Sequence, residues 1–364
     1  MNVGEVTGTR RDRRTQKVTL KDVADAAGVS MMTVSNVLHD RANVSAEMRS
    51  QVQTKIKELG YVPNRAAQEL AGRVRPHLGL LYPGVTNPFI ASVIVGSMKA
   101  ASRLQVDISV QLAQIEDPKA FRNTMNRMTD TGIDGFLLPS PIAEFAASAF
   151  QKKTLNVPAV AIAPGFPIPG MASVRTEERK ASFELVSMLL DLGHTRIGHL
   201  SGPNTQSGSI ARLEGYRDAL QSRGIEPRPE LVVQTVFRFQ EGVKAAERLF
   251  AQEPQVTAIF AANDTLAASV LAVAQHRGIP VPGSLSVVGY DDSPTAEQVW
   301  PGITTIHQDA QTMSEHAVEI LDKGVRAWKA NPSARLDQDV VFPYQIITRA
   351  SVAKAPKAKA PQRR

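Results

Sequence analysis

The first chemistry legible in this 364-residue chain lies in the run MMTVSN, residues 31–36. Met31, Met32, Thr33, Ser35 and Asn36 are small, flexible or polar, as side chains that enter a DNA major groove must be. Asn36 carries a carboxamide donor and acceptor that suit adenine N6 and N7, and Met31 and Met32 suit thymine methyls. Thr19, Lys21, Thr33 and Ser35 are expected to meet the phosphate backbone. A second constellation lies far downstream. Asn263 and Asp264 follow AIFAA, Asp291 and Asp292 follow SVVGY, Gln308 follows TTIH, and Arg212 opens a helix after SGPNTQSGSI. Ligands of open α/β sheets bind just beyond the carboxyl ends of strands. Asp, Asn, Gln and Arg there supply the donors and acceptors that vicinal hydroxyls or a purine edge require, and Phe89 and Phe237 can stack on a flat ligand face. Each has a local alternative. Asn263 or Asp264 can cap a helix, Asp291 can sit in a turn, and Arg212 can pair with Glu214 or an acid elsewhere.

The elements that must hold these residues follow from periodicity. Leu20, Val23, Ala24 and Ala27 form one apolar helical face, with Thr19 as cap, Asp22 in the first turn and Gly28 at the end. Ser30 caps a second helix that turns Val34, Val37 and Leu38 inward. Ser45 starts a third, whose stripe of Met48, Val52, Ile56 and Leu59 is expected to close a three-helix core. Periodicity shows helices and not what they touch, so an ordinary bundle with a solvated polar face is the alternative. After Val62-Pro63, Asn64 can cap a short helix over 65–71, marginal in isolation. From Leu78 onward, short apolar runs (LGLLYP, VDISVQL, GIDGFLLP, VPAVAIA, RIGHLSG, LVVQTV, AIFAAND, LSVVGYDD, ITTIHQ) alternate with helical stretches. Their lack of clean alternation predicts strands buried on both faces, in parallel sheets with right-handed crossovers. A break near 171–176 suggests two lobes with a cleft between them.

Composition narrows the function. There is no cysteine, which excludes disulfides, thiolate zinc sites and cysteine nucleophiles. The net charge of +7 is uneven: 13 Lys/Arg against 8 Asp/Glu over residues 1–76, 5 against none over 350–364, and 24 against 27 between. Basic character therefore sits in the head and the two ends, where phosphate attraction or solvation accounts for it. The seven histidines show no HExxH spacing. No GxSxG, P-loop or GxGxxG follows a strand. His194 and His199 flank one strand and read as structural, and adjacent Asp291 and Asp292 make a poor acid/base pair. No run approaches the roughly 18 apolar residues of a membrane span, and the arginine-containing start lacks an apolar segment, so a cytoplasmic protein is expected. The alternatives are an α/β enzyme or a solute-binding protein using the same cleft.

The segment VTLKDVADAAGVSMMTVSNVL, with the N-V-S start of the third helix and ELGYVPN-x-A-A, resembles the head of the LacI/GalR family of bacterial transcription regulators, and the similarity continues through most of the chain. The resemblance implies an N-terminal all-α helix-turn-helix head with a hinge helix, followed by an α/β, two-lobed, periplasmic-binding-protein-like effector domain. It implies a basic arm (1–17), a DNA-binding domain (18–62), a hinge helix and linker (63–76), an effector-binding and dimerisation domain (77–349) and a basic disordered tail (350–364). The expected function is sequence-specific repression by a homodimer on a near-palindromic operator, controlled by a small-molecule, carbohydrate-type effector (a sugar, sugar acid or related metabolite), with no catalysis, cofactor, metal or membrane. Leu70, with Ala67 one turn before it, matches the family's minor-groove wedge, although the residues alone favour Leu70 docking on the body. Glu69 departs from the basic or neutral residues expected beside phosphates. The effector contacts implied are Phe89, Arg212, Phe237, Asn263, Asp291 and Gln308. The family often has arginine where this chain has Asn36. The tail has no leucine heptad, so a dimer and not a coiled-coil tetramer is expected.

Overall fold

In the computed structural model, which describes residues 18–38, 44–59, 61, 75–84, 87–150 and 155–357, the chain divides into compact units at residue 75/76. The arm, Ala67, Glu69, Leu70, most of the proposed hinge and residues 358–364 lie outside the described residues.

In the head, a capping box starts α1 (Leu20–Ala27): Thr19 Oγ1 accepts from Asp22 N at 3.3 Å and Asp22 Oδ2 accepts from Thr19 N at 2.7 Å. Gly28 ends it at φ 63°, in the left-handed region that glycine adopts without a Cβ clash. Ser30 Oγ accepts from Thr33 N at 3.1 Å and starts α2 (Met31–Leu38). Ser45 Oγ accepts from Met48 N at 3.3 Å at the start of α3 (Ala46–Leu59). Val23, Ala24, Ala27, Val34, Val37 and Val52 are buried together with Tyr61. The expected α3 stripe closes this core only through Val52 and, in part, Ile56, because Met48 and Leu59 are exposed. Tyr61 supplies the missing bulk.

The body has two parallel sheets. In the first lobe β1 (His77–Tyr82), β2 (Asp107–Leu112), β3 (Gly135–Pro139), β4 (Ala159–Ile162), β5 (Ala172–Thr176) and β11 (Asp339–Phe342) lie in the order β11-β5-β4-β3-β1-β2. In the second, β6 (Ile197–Ser201), β7 (Val232–Gln234), β8 (Ala258–Ala261) and β9 (Ser286–Val288) lie in the order β7-β6-β8-β9. Helices cover both faces. On the first sheet α4 (Pro88–Leu104) and α12 (Ala310–Ala330) pack on one side, and α5 (Pro118–Asp130) with α6 (Ile142–Phe150) pack on the other. On the second, α9 (Phe239–Gln252) and α10 (Asp264–His276) oppose α7 (Glu178–Asp191) and α8 (Ser207–Ser222). The central strands are buried on both faces for that reason.

The chain crosses between lobes after β5, again between β10 (Thr305–His307) and α12, and a third time from β11 into β12 (Gln345–Ile347), which pairs antiparallel with β10. Several expectations are corrected here. Residues 172–176, read as a break, form β5; its polar Arg175 is matched by an ion pair to Asp339 on β11, at 2.8 Å. VDISVQL is not buried on both faces, because β2 is an edge strand with Val110 and Leu112 exposed. α6, β11, β12 and the short α11 (Pro294–Gln298) were not read from the sequence.

Nor is residue 350 the start of a free tail. Ser351 is fully buried; its Oγ donates to Val287 O at 2.6 Å and accepts from Thr304 N at 2.8 Å. Ala355 N donates to Leu192 O at 2.9 Å. Backbone polar groups zip this segment to the second lobe despite its lysines and prolines.

Candidate functional site

On the head, α2 presents Met31 and Met32 to solvent, 53% and 70% exposed, with Thr33, Ser35 and Asn36 half-buried behind them. The inward residues are Val34 and Val37, so the helical period forces the intervening residues outward. Lys21 is exposed on α1. Thr19 is less available than its position suggests, because its N–H and its hydroxyl both donate to Asp22 Oδ2, each at 2.7 Å. Those bonds hold the Asp22 carboxyl below its ordinary range.

Between the lobes of the body lies a cavity of about 290 Å³. The structure brings Phe89, Arg212, Phe237, Asn263, Asp291 and Gln308 together in its wall. All but Phe237, which lies in the loop between β7 and α9, come from just past a strand or from the first two turns of a helix. Asn263 follows β8 and caps α10, its Oδ1 accepting from Leu266 N at 2.9 Å, so the capping role and a place in the cavity coexist. Asp291 follows β9 at φ 100°, a conformation a non-glycine residue holds only where its surroundings impose it. Arg212 sits in the second turn of α8 and does not open it.

The deepest part of the wall is a bonded circuit. Arg212 Nε and Nη2 donate to Glu178 Oε2 and Oε1 at 2.9 and 3.1 Å, and Nη1 donates to Ala262 O. The guanidinium carbon lies 3.8 Å from the centre of the Tyr290 ring, and Nη2 lies 3.7 Å from Asp291 Oδ1. Asp291 Oδ1 accepts from Gln308 Nε2 at 2.7 Å, and Gln308 Oε1 accepts from Thr176 Oγ1 at 3.3 Å. Burial opposes the charge on Arg212, yet Glu178 and then Asp291 hold its pKa above the ordinary arginine value. Burial pushes Asp291 up to about 6, with Arg212 and Gln308 pulling the other way and Glu178 reinforcing the rise. The folded protein holds this proton to about 6 and the free side chain only to 3.8, so Asp291 disfavours folding increasingly across that window and by a constant amount above it.

Asp264 and Asp292 are not brought into the cavity wall. Asp264 accepts from Thr305 Oγ1 and Ser293 N, each at 2.7 Å, and burial pushes it up to about 7. Asp292 pairs with His307 and Arg349 at 2.9 and 2.7 Å. His194 donates from Nε2 to Ala353 O at 3.0 Å. His199 lies between the rings of Tyr216 and Phe260 and is pushed down to about 4 by burial. Both are held as packing groups.

Sequence reasoning missed Glu178, Asn87, Gln206 and Arg238, which also line the cavity. Glu178 had a usable signal: it stands just past the carboxyl end of β5, the strand that had been read as a break.

A helix-turn-helix head and a two-lobed α/β body with an interlobe cavity are the architecture of a ligand-responsive DNA-binding protein. Residues 19–64 match the model of bacterial regulatory proteins of the lacI family, and residues 186–352 match the periplasmic binding protein-like domain. The HTH-type transcriptional regulator DegA of Bacillus subtilis is 30% identical over 339 residues, covering 93% of this chain and 98% of DegA. The ribose operon repressor of Haemophilus influenzae is also 30% identical, covering 90% and 97%. A structure of the lac repressor dimer bound to operator and the anti-inducer ONPF superposes with a TM-score of 0.78 at 25% identity, covering 93% of this chain and all of that one. The chain belongs to the lacI family of bacterial regulatory proteins and is a DNA-binding transcription regulator, not an enzyme. Among the described residues no helix is long and apolar enough to cross a membrane.

Proposed function

We propose that this chain is a cytoplasmic, homodimeric repressor whose affinity for a near-palindromic operator is set by a carbohydrate-type effector in the interlobe cavity. The observation that carries the reading is the convergence of two aromatic rings and four hydrogen-bonding side chains, Phe89, Phe237, Arg212, Asn263, Asp291 and Gln308, on one cavity between two lobes. Rings stack on the apolar face of a pyranose or furanose and the polar groups address its hydroxyls. Because both crossings that flank the cavity carry its residues, Glu178 after β5 and Gln308 before α12, an effector biases the lobe arrangement and, by linkage, operator affinity. The name of the ribose operon repressor points to a sugar.

In this reading Met31, Met32 and Asn36 face bases, Lys21, Thr33, Ser35 and Thr19 face phosphates, and Ala67 and Leu70 enter the minor groove from a hinge over 63–76. Residues 77–349 carry the effector and the dimer contact. The test is a thermal-shift screen of sugars followed by operator binding with each hit. A sugar that raises the melting temperature and changes operator affinity is expected; a set of stabilising sugars none of which alters operator binding would defeat the proposal.

Two further results are expected. Hydroxyl donors bond more strongly to an ionised than to a neutral Asp291, so effector affinity measured by calorimetry should fall as pH drops through about 6. Affinity that is flat from pH 8 to 5 would remove Asp291 from the contact. Leu70→Ala should weaken operator binding and leave effector binding unchanged, because it removes a wedge and not a core residue; loss of effector affinity would instead indicate docking on the body.

A further inference from the structure

An arginine free to present its fork is the usual partner of a carboxylate or phosphate, and the fork of Arg212 is already taken. Of its five protons, two go to Glu178 and one to Ala262 O, and its Nη2 side is 3.7 Å from Asp291 Oδ1. Tyr290 lies over the guanidinium plane. The side chain of Glu178 is 2% exposed and that of Arg212 8%, so solvent does not loosen this pair. The sequence makes room for it: a Cβ on Gly208 would lie 2.7 Å from Glu178 Oε2, so any larger residue there would push the carboxylate off its seat. The floor therefore holds two carboxylates, Glu178 and Asp291, against one buried cation. Arg238, the other cation of the wall, is solvent-exposed, where water and salt screen it.

We propose that Glu178 is a specificity-determining residue that occupies the Arg212 fork, so that the cavity floor accepts uncharged, hydroxyl-rich sugars and rejects sugar acids and sugar phosphates. This inference rests on the effector-cavity reading above. Asp291, bonded through Oδ1 to Gln308, keeps Oδ2 as an acceptor, and Asn263 keeps its amide donors, which together suit a pair of neighbouring hydroxyls. An anionic ligand group set on this floor meets two like charges within a few ångströms, a repulsion worth roughly 100-fold in affinity at the effective dielectric of a protein interior.

The test uses the full-length protein and matched probes: glucose, galactose and ribose against glucuronate, galacturonate, ribonate and ribose 5-phosphate, by calorimetry and by operator release. Wild type should bind a neutral member at least about 100-fold more tightly than its acid. Glu178→Gln, near-isosteric and checked for folding by circular dichroism, should narrow that ratio tenfold or more by freeing the fork. Gly208→Ala should move it the same way with Glu178 intact. An acid or phosphate that binds wild type more tightly than its neutral counterpart overturns the inference and leaves the effector cavity standing; a ratio unchanged in both variants overturns the role of Glu178. If no probe of either kind binds, the inference and the cavity reading fall together.

Discussion

Arg212→Ala is expected to lower the stability of the body by about 3–5 kcal/mol and to abolish the effector response with it. The reason is the circuit and not the ligand. Removing the guanidinium leaves Glu178 as a buried carboxylate with no cation, strands the Ala262 carbonyl and uncovers Tyr290. A loss of that size corresponds to a fall in melting temperature on the order of 10 °C for a unit of this length. Thermal and guanidinium unfolding measure it, and a loss below about 1 kcal/mol would mean that the pair is not formed in solution. Folding and recognition are separable by a second variant. Arg212→Met with Glu178→Leu removes both charges together and should recover most of the stability, because an apolar pair of similar volume replaces a desolvated ion pair at little cost. It should still show no effector response.

That expectation differs from what the sequence alone supports for Arg212, and the difference is instructive. Its arrival in the cavity was legible because it follows β6 and a Gly/Ser-rich loop; its partner was not, because Glu214, two residues along the same helix, is the nearer acid in sequence. Glu214 instead meets Arg179, at 3.2 Å. Glu178 comes from an element 34 positions upstream, which only the tertiary fold brings near. Most strands read correctly, such as β1, β3, β4, β6 and β8, are apolar runs buried under helices, while the exposed edge strand β2 was read from its apolar residues although its burial was not. Those missed, β5, β11 and β12, are short and carry the polar residues Arg175, Asp339 and Gln345; β11 and β12 are also partly exposed, whereas β5 is buried except at Arg175. The C-terminal segment was misread for a related reason. Its lysines and prolines signal disorder, while the bonds that order it run from backbone groups and Ser351 to residues over forty positions away. In the head, by contrast, the caps and the inward faces of α1 and α2 are local and local signals sufficed for them, whereas the place of Tyr61 in the core, instead of Met48 and Leu59, is set by packing between helices.

Asn36→Ala is expected to lose roughly 1–3 kcal/mol of discrimination at a single A·T pair of each half-site, without a comparable loss on other sequences. Asn36 lies on the half-buried flank of α2, two residues after buried Val34 and beside buried Val37, so its carboxamide is held by a helix anchored in the core and not by a loop. A carboxamide can donate to adenine N7 and accept from adenine N6 at once, a pairing that guanine cannot return because it presents acceptors at both N7 and O6. An arginine fork, by contrast, reads guanine. Met31 and Met32, more exposed, contribute shape and thymine-methyl contact and no hydrogen bonds of comparable strength. Lys21 acts differently. Its substitution by alanine should weaken every sequence alike and reduce the salt dependence of binding, because it removes one phosphate contact and the counterion released with it. Selecting operators from a random pool with wild type, Asn36→Ala and Lys21→Ala separates the two roles. Base preferences that stay identical at every position in Asn36→Ala would assign Asn36 to phosphate or water, and a changed preference in Lys21→Ala would place that lysine at a base edge.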